Sequence, residues 1–357
     1  MKVHNFSSGP AILPEEVLAE AAQAVIDYKN SGLSILTMSH RNKLFVDVIE
    51  EARALVKELL GLSNEHQVLF LGGGASSQFF MVPMNFLGAN QFASYTDTGT
   101  WANKAIKEAK NFGEVKVLAS SKESTYSFIP KDIQVPSDSQ YLHLTSNNTI
   151  YGTQYHNFPE TSVPIVCDMS SDIFSREIPA EKFGLIYAGA QKNMGPAGVT
   201  MVALSPEFVE RKIDRVIPTM LNYQTHIAEN AMFNTPPTFP IYVSLLTMRW
   251  IKAQGGLKAM QQKNDHKAAI LYHEIDRNPL FRGTVAVEDR SRMNVCFVPE
   301  NVEHEKPFFD LCTQNGMIDF KGHRSVGGFR ASIYNAMPLS SIELMISLMQ
   351  EFEEKNG

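Results

Sequence analysis

The sequence predicts an α/β fold: a large unit built on a mainly parallel sheet, followed by a smaller C-terminal α+β unit. Three observations carry that expectation. Short apolar runs of strand length alternate with segments of helical periodicity through the first two thirds of the chain. The 357 residues suffice for two domains with separate cores. Beyond the interruption at Gly255-Gly256 the strand-like runs become short and lie between helices. The expected division is residues 1–255 and 256–357.

Each element has a local reason. Pro14-Glu15-Glu16 opens a helix, because proline suits a first turn and acids face the positive end of the dipole. Val17, Leu18, Ala21, Val25 and Ile26 then recur at helical spacing, with Gly32 as the expected stop. Residues 45–60 repeat the pattern and stop at Gly61. Residues 67–71 form an apolar strand running into Gly72-Gly73-Gly74, followed by a helix expected to reach about Pro83. Residues 91–95, 115–118, 141–144, 163–167 and 185–187 read as further strands, and 294–298 as a later one. A long helical region covers 241 to about 276. The last helix carries a capping box, Ser340-Ser341-Ile342-Glu343, with Leu339 and Leu344 spaced for a hydrophobic staple.

Composition narrows the function classes. Apolar residues make up 44% and charged residues 20%, ordinary for a soluble globular protein. A net charge of −6 without concentrated Lys and Arg gives no reason to expect nucleic acid. Cys167, Cys296 and Cys312 are odd in number and lack CxxC spacing, so neither a disulfide framework nor a metal site is expected. Residues 1–10 have no signal-peptide core, and no apolar stretch approaches the roughly 18 residues of a membrane span. A cytoplasmic protein is the expectation.

Chemistry concentrates at Ala188-Gly189-Ala190-Gln191-Lys192-Asn193-Met194-Gly195-Pro196. The 185–187 strand would deliver Lys192 to the carboxyl end of the sheet, among residues small enough for a flat ring to approach. Asp168 ends its own apolar run. A lysine and an aspartate at neighbouring strand ends suit pyridoxal phosphate (PLP): the amine binds the cofactor covalently, and the carboxylate holds the pyridine nitrogen protonated. Taken singly, Lys192 also reads as a solvated charge and Asp168 as a turn cap.

Four other segments are candidates. Gly72-Gly73-Gly74-Ala75-Ser76-Ser77 links a strand to a helix, where free amides can cradle a phosphate; it is neither a P-loop nor GxGxxG, and a tight turn is an equal reading. Trp101, after Thr98-Gly99-Thr100, offers an indole to stack on a ring or to fill a core. Ser146-Asn147-Asn148-Thr149 puts the Thr149 hydroxyl at the same sheet edge, within an otherwise ordinary turn. Lys321-Gly322-His323-Arg324 leads to Arg330, whose apolar setting calls for an anionic partner. His40-Arg41 is a second basic pair. The substrate should therefore carry at least two anionic groups.

Nearly end to end, the chain resembles the phosphoserine aminotransferase family, fold-type I PLP-dependent transferases of the class V aminotransferase group. The motifs that carry the likeness are Asn5-Phe6-Ser7-Ser8-Gly9-Pro10-Ala11, Ser39-His40-Arg41, Gly73-Gly74-Ala75-Ser76-Ser77-Gln78-Phe79, Ala190-Gln191-Lys192-Asn193, Asn234-Thr235-Pro236-Pro237-Thr238 and Gly322-His323-Arg324 through Arg330-Ala331-Ser332-Ile333-Tyr334-Asn335-Ala336. The resemblance implies a homodimer with shared sites that transfers an amino group between glutamate and 3-phosphohydroxypyruvate, giving O-phosphoserine for serine synthesis. It also admits the phosphorylated threonine analogue of pyridoxine synthesis as a second substrate. It implies that Lys192 carries the cofactor, Asp168 pairs with the ring nitrogen, Trp101 stacks on the ring and Thr149 meets the ring oxygen. Ala75, Ser76 and Gln191 would hold the cofactor phosphate, with Asn234 and Thr235 reaching it from the partner. Arg330 would clamp the substrate α-carboxylate. His323 and Arg324, with His40-Arg41 of the partner, would hold the distal anion.

The chain departs from some relatives at Ala75-Ser76, where they carry Gly-Arg, and at Asn148, where they carry Glu. The first change keeps backbone donors and loses a guanidinium. Other readings compete. A cysteine desulfurase would need a mobile reactive cysteine. An alanine-specific transaminase would not need His323 and Arg324 beside Arg330. A non-catalytic PLP-binding regulator would bring a basic or helix-turn-helix segment, and a dehydrogenase a GxGxxG motif.

Overall fold

The computed structural model describes residues 2–357. Its strands are β1 (His4–Asn5), β2 (Gln67–Leu71), β3 (Phe92–Asp97), β4 (Glu114–Ser120), β5 (Leu142–Thr145), β6 (Asn147–Asn148), β7 (Thr153–Gln154), β8 (Ile165–Asp168), β9 (Phe183–Gly189), β10 (Thr200–Leu204), β11 (Phe281–Gly283), β12 (Asn294–Pro299), β13 (Met317–Ile318) and β14 (Phe329–Ser332). Its α-helices are α1 (Glu15–Ile26), α2 (Lys43–Leu60), α3 (Gly74–Phe86), α4 (Thr100–Ala109), α5 (Pro206–Val209), α6 (Tyr223–Ala228), α7 (Thr238–Ala253), α8 (Gly256–Arg277), α9 (Glu305–Gln314) and α10 (Leu339–Asn356).

Seven strands form one sheet in the order β2-β10-β9-β8-β5-β3-β4. Only β10 runs against its neighbours; β9, β8, β5, β3 and β4 pair parallel in turn. Strands β5, β8, β9 and β10 are buried along their whole length. That is why they read as continuous apolar runs rather than alternating ones. Each fully buried Leu, Ile or Val side chain in them contributes about 1.5–3 kcal/mol. Because β2, β3, β5, β8 and β9 point the same way, their carboxyl ends share one edge, where open α/β sheets bind ligands.

A second, antiparallel sheet β11-β12-β14 packs with α9 and α10. One apolar core underlies the large sheet; another gathers Leu271, Ile275, Phe297, Phe308, Phe329 and Met345. Helix α8 spans both: Leu257 and Met260 lie in the first core, Ala268 and Leu271 in the second. The amino-terminal Phe6 belongs to the second core, and β1 pairs with β13.

Three local expectations are corrected. The first helix stops at Ile26 instead of continuing to Gly32: Asp27 is extended, and Tyr28–Asn30 form a separate 3-10 turn that buries Tyr28. Helix α3 passes through Pro83 and ends at Phe86. Burial of Phe79, Met81, Val82 and Phe86 offsets the roughly 3 kcal/mol that an interior proline costs. The capping box does not form. Pro338 starts α10 at Leu339, before Ser340 can cap it, and the Ser341 hydroxyl meets His4 Nδ1 at 2.8 Å.

Candidate active site

Strands β8 and β9 are parallel neighbours, with Asp168 opposite Tyr187 in register. Asp168 therefore stands at the end of β8, and the chain leaving β9 turns back over it with Lys192. Asp168 is 4% exposed. Its Oδ1 accepts the Ser170 amide at 2.9 Å and the Ser170 hydroxyl at 2.6 Å. The same hydroxyl accepts from the Gly189 amide at 3.0 Å, so Ser170 ties the ends of both strands together. Burial raises the Asp168 pKa, against the lowering effect of the Ser170 bonds and the Lys192 charge. A cation facing Oδ2 would favour the ionised form further.

Lys192 Nζ donates to Thr149 Oγ1 at 2.6 Å and lies 5.5 Å from the Trp101 ring centroid. Burial pushes its pKa down to about 8, with Asp168 raising it and Arg330 lowering it. The amino-terminal segment passes over its stem: a Cβ on Gly9, where φ is +145°, would sit 3.3 Å from Lys192 Cγ. The Ala11 amide bonds the Gln191 carbonyl at 2.9 Å.

Asp168, Ser170, Trp101 and Lys192 line a cavity of about 190 Å³ together with Gly74, Ala75, Ser76, Gln191 and Gly198. Gly73, at φ +89°, turns the chain from β2 into α3. The first amides of α3, at Gly74, Ala75 and Ser76, have no intrahelical acceptor and carry the positive end of a 13-residue helix dipole. Trp101 sits in the first turn of α4 and forms a wall of the same cavity. Larger hollows of about 520 and 700 Å³ elsewhere contain none of the sequence-predicted site residues.

Arg330, on β14, reaches the same Thr149 that holds the Lys192 amine. Its Nη1 donates to the Thr149 carbonyl at 3.3 Å and its Nη2 to Ser8 Oγ at 2.7 Å, while Nε is buried without a partner. Among the described residues no carboxylate pairs with it; the anion its sequence context calls for is not supplied by the chain. Ser8 is a site residue that sequence reasoning missed. It lies within the Asn5–Ala11 motif, but nothing local ties a serine at position 8 to an arginine at 330. Tyr334 fixes it further, donating its hydroxyl to the Ser8 carbonyl at 2.9 Å.

The loop carrying His323 and Arg324 is closed by Gly322 N bonding the Gly328 carbonyl at 2.7 Å. Val326 packs on the Tyr126, Ile150 and Tyr151 cluster, which also touches Trp101. The Arg330 and Arg324 charges, after burial, lower the His323 pKa. Thr149, His323, Arg324 and Arg330 are not among the residues that line the Lys192 cavity, and neither are His40, Arg41, Asn234 and Thr235 of the same chain. Asn234 faces a separate hollow beside Gly73, Ser77, His226 and Pro237.

The class-V aminotransferase family model matches residues 3–345. Phosphoserine aminotransferase of Flavobacterium psychrophilum is 56% identical over 356 residues, covering 99% of this chain and 100% of that one. The chain belongs to the phosphoserine aminotransferases of class V. The solved phosphoserine aminotransferase from Bacillus circulans subsp. alkalophilus superposes with a TM-score of 0.96 at 48% identity, covering 100% and 99% of the two chains. The PLP-bound phosphoserine aminotransferase from Trichomonas vaginalis gives 0.92 at 36% identity, covering 98% and 100%.

Two features of this chain bear on the competing readings. All three cysteines are buried, with burial raising each thiol, so no mobile nucleophile of the desulfurase kind is present among the described residues. The described residues contain no cluster of His, Cys, Asp and Glu that could hold a metal ion, and no helix long and apolar enough to cross a membrane.

Proposed function

We propose that this enzyme binds PLP at Lys192 and interconverts 3-phosphohydroxypyruvate plus glutamate with O-phosphoserine plus 2-oxoglutarate. The observation that carries the reading is the Lys192 amine, held by Thr149 at 2.6 Å beside Trp101, with Asp168 at the adjoining strand end. A flat, phosphorylated pyridine fits this set. The amides of Gly74, Ala75 and Ser76 offer donors to a phosphate, an indole bounds the cavity, and one oxygen of a buried carboxylate is left free.

When bound, PLP supplies an electrophilic carbon for the substrate amine and a cationic ring that takes up the electron pair released at the substrate Cα. The residues do the rest. Asp168 would hold the proton on the ring nitrogen, its carboxylate fixed by the two Ser170 bonds to Oδ1. Thr149 would donate its hydroxyl to the ring oxygen. Arg330, steadied by Ser8, takes the substrate α-carboxylate in a bidentate fork and so orients the Cα–H bond toward Lys192. Lys192, with a pKa near 8, accepts that proton and returns it at the next step. Trp101 and the amino-terminal segment exclude water.

His323 and Arg324 are proposed to hold the distal anion, the phosphate of one substrate and the side-chain carboxylate of the other. Arg41 with His40, and Asn234 with Thr235, are proposed to act across a homodimer interface, on the substrate anion and the cofactor phosphate respectively. Residues 1–255 and 256–357 are proposed as the two domains whose meeting surface forms the site.

The test is a half-reaction. Purified holoenzyme mixed with phosphoserine, without a keto acid, should convert its cofactor absorbance to that of the aminated form and release one equivalent of 3-phosphohydroxypyruvate per site. An unchanged spectrum with phosphoserine would refute the substrate assignment.

A further inference from the structure

Helix α8 carries a buried cation that the transamination chemistry does not use. Lys267 is 4% exposed, and its Nζ donates to the carbonyls of Tyr334 at 2.7 Å, Ile333 at 3.0 Å and Met337 at 3.5 Å. No carboxylate pairs with it among the described residues, so three peptide dipoles match the three donors of the ammonium. A buried charge held this way is costly. Burial pushes the Lys267 pKa down to about 7, with Lys263 adding to the effect.

What Lys267 holds is the turn directly after β14, the strand of Arg330. That turn makes two connections to the site. Tyr334 reaches Ser8, which accepts from Arg330. The Asn335 amide donates to Asn193 Oδ1 at 2.9 Å, and Asn193 follows Lys192 in the chain. Asn264, on the same helix as Lys267, seats Asn335 from behind by donating to its Oδ1 at 2.8 Å. The turn thus touches the holder of the α-carboxylate on one side and the neighbour of the reacting lysine on the other.

We infer that Lys267 is a positioning residue for substrate binding: by fastening the 333–337 turn it sets the Arg330 fork relative to Lys192. The inference rests on the transamination reading above. It concerns the α-carboxylate, which both amino acids share, so it acts on both substrates alike.

The experiment has two arms. In the first, unaltered holoenzyme is exposed to deuterated water with and without glutarate, a dicarboxylate that offers a carboxylate to Arg330 and cannot transaminate. Exchange across 333–337 should slow at least threefold with glutarate; no change there, at glutarate concentrations that alter the cofactor spectrum, overturns the inference. In the second, Lys267→Met and Lys267→Gln are assayed beside Glu274→Gln, a buried change near the far end of the same helix.

The Lys267 variants should raise KM for glutamate and for phosphoserine about tenfold each, with kcat within twofold. The Glu274 variant should lower the melting temperature without moving KM. Combined with Arg330→Lys, Lys267→Met should add less than its separate effect, because both act through one fork. Unchanged KM in a folded Lys267 variant, effects that multiply with Arg330→Lys, or an equal KM rise in Glu274→Gln would each overturn the inference. Should neither Lys267 variant fold, the exchange arm decides. An unaltered enzyme that fails to transaminate would instead refute the functional reading itself.

Discussion

Ser170 gives both its amide and its hydroxyl to a single oxygen of Asp168, at 2.9 and 2.6 Å, and leaves the other oxygen open. The same hydroxyl takes the Gly189 amide, so the carboxylate is aimed by a clamp across two strand ends. Ser170→Ala should lower kcat/KM about 10- to 100-fold, the range of one hydrogen bond to a charged group, and weaken cofactor retention. Steady-state kinetics at saturating PLP and the rate of cofactor loss on dilution measure the two effects. Wild-type values in both would mean that the clamp has no part in catalysis.

Lys192 has an amine whose pKa is lowered by burial from 10.5 to about 8. Covalent capture of PLP by the apoenzyme needs the free amine, so its rate should rise with pH and level off above about 8. The same shift affects apoenzyme stability. The unfolded chain binds this proton up to about pH 10.5 and the folded chain only up to about 8, so the contribution of Lys192 is unfavourable below 8 and recovers as pH climbs between those values. Stopped-flow absorbance on adding PLP checks the first statement. A midpoint near 10.5 would show that the amine is not desolvated.

The distal anion distinguishes the two substrates, since one carries a phosphate dianion and the other a carboxylate. Arg324→Ala should raise KM for phosphoserine more than for glutamate, because the more highly charged group loses more. Arg330→Ala should raise both by similar factors. Equal effects of the Arg324 change on the two substrates would count against its assignment.

Arg41 and Asn234 do not line the Lys192 cavity of their own chain. If they complete the site of a partner subunit, an inactive Arg41→Ala enzyme mixed and refolded with an inactive Lys192→Ala enzyme should regain up to about a quarter of wild-type activity, since a statistical mixture makes half its dimers hybrid and each hybrid assembles one intact site. Verified hybrids with no activity would remove the shared-site proposal.

The sheet and the lysine–aspartate pair were legible because burial writes itself into sequence. β8 and β9 are covered on both faces, so apolar runs mark both strands; Asp168 closes β8, and Lys192 follows the end of β9. Other parts were not legible, because their partners are remote in sequence. Ser8 gains its role from Arg330, and Ser170 from Gly189. Lys267 lies in the polar run Asn264-Asp265-His266-Lys267, where nothing local marks a buried amine; only the fold brings three carbonyls to it. Local rules failed where packing outweighed them, as at Pro83 inside α3. At Ser340 a proline upstream had already started the helix.

The most direct measurement is to reduce the native holoenzyme with borohydride, digest it, and locate the pyridoxyl label by mass spectrometry. The account predicts one labelled peptide, with the tag on Lys192. A label on any other lysine, or none on an enzyme that transaminates, would contradict it.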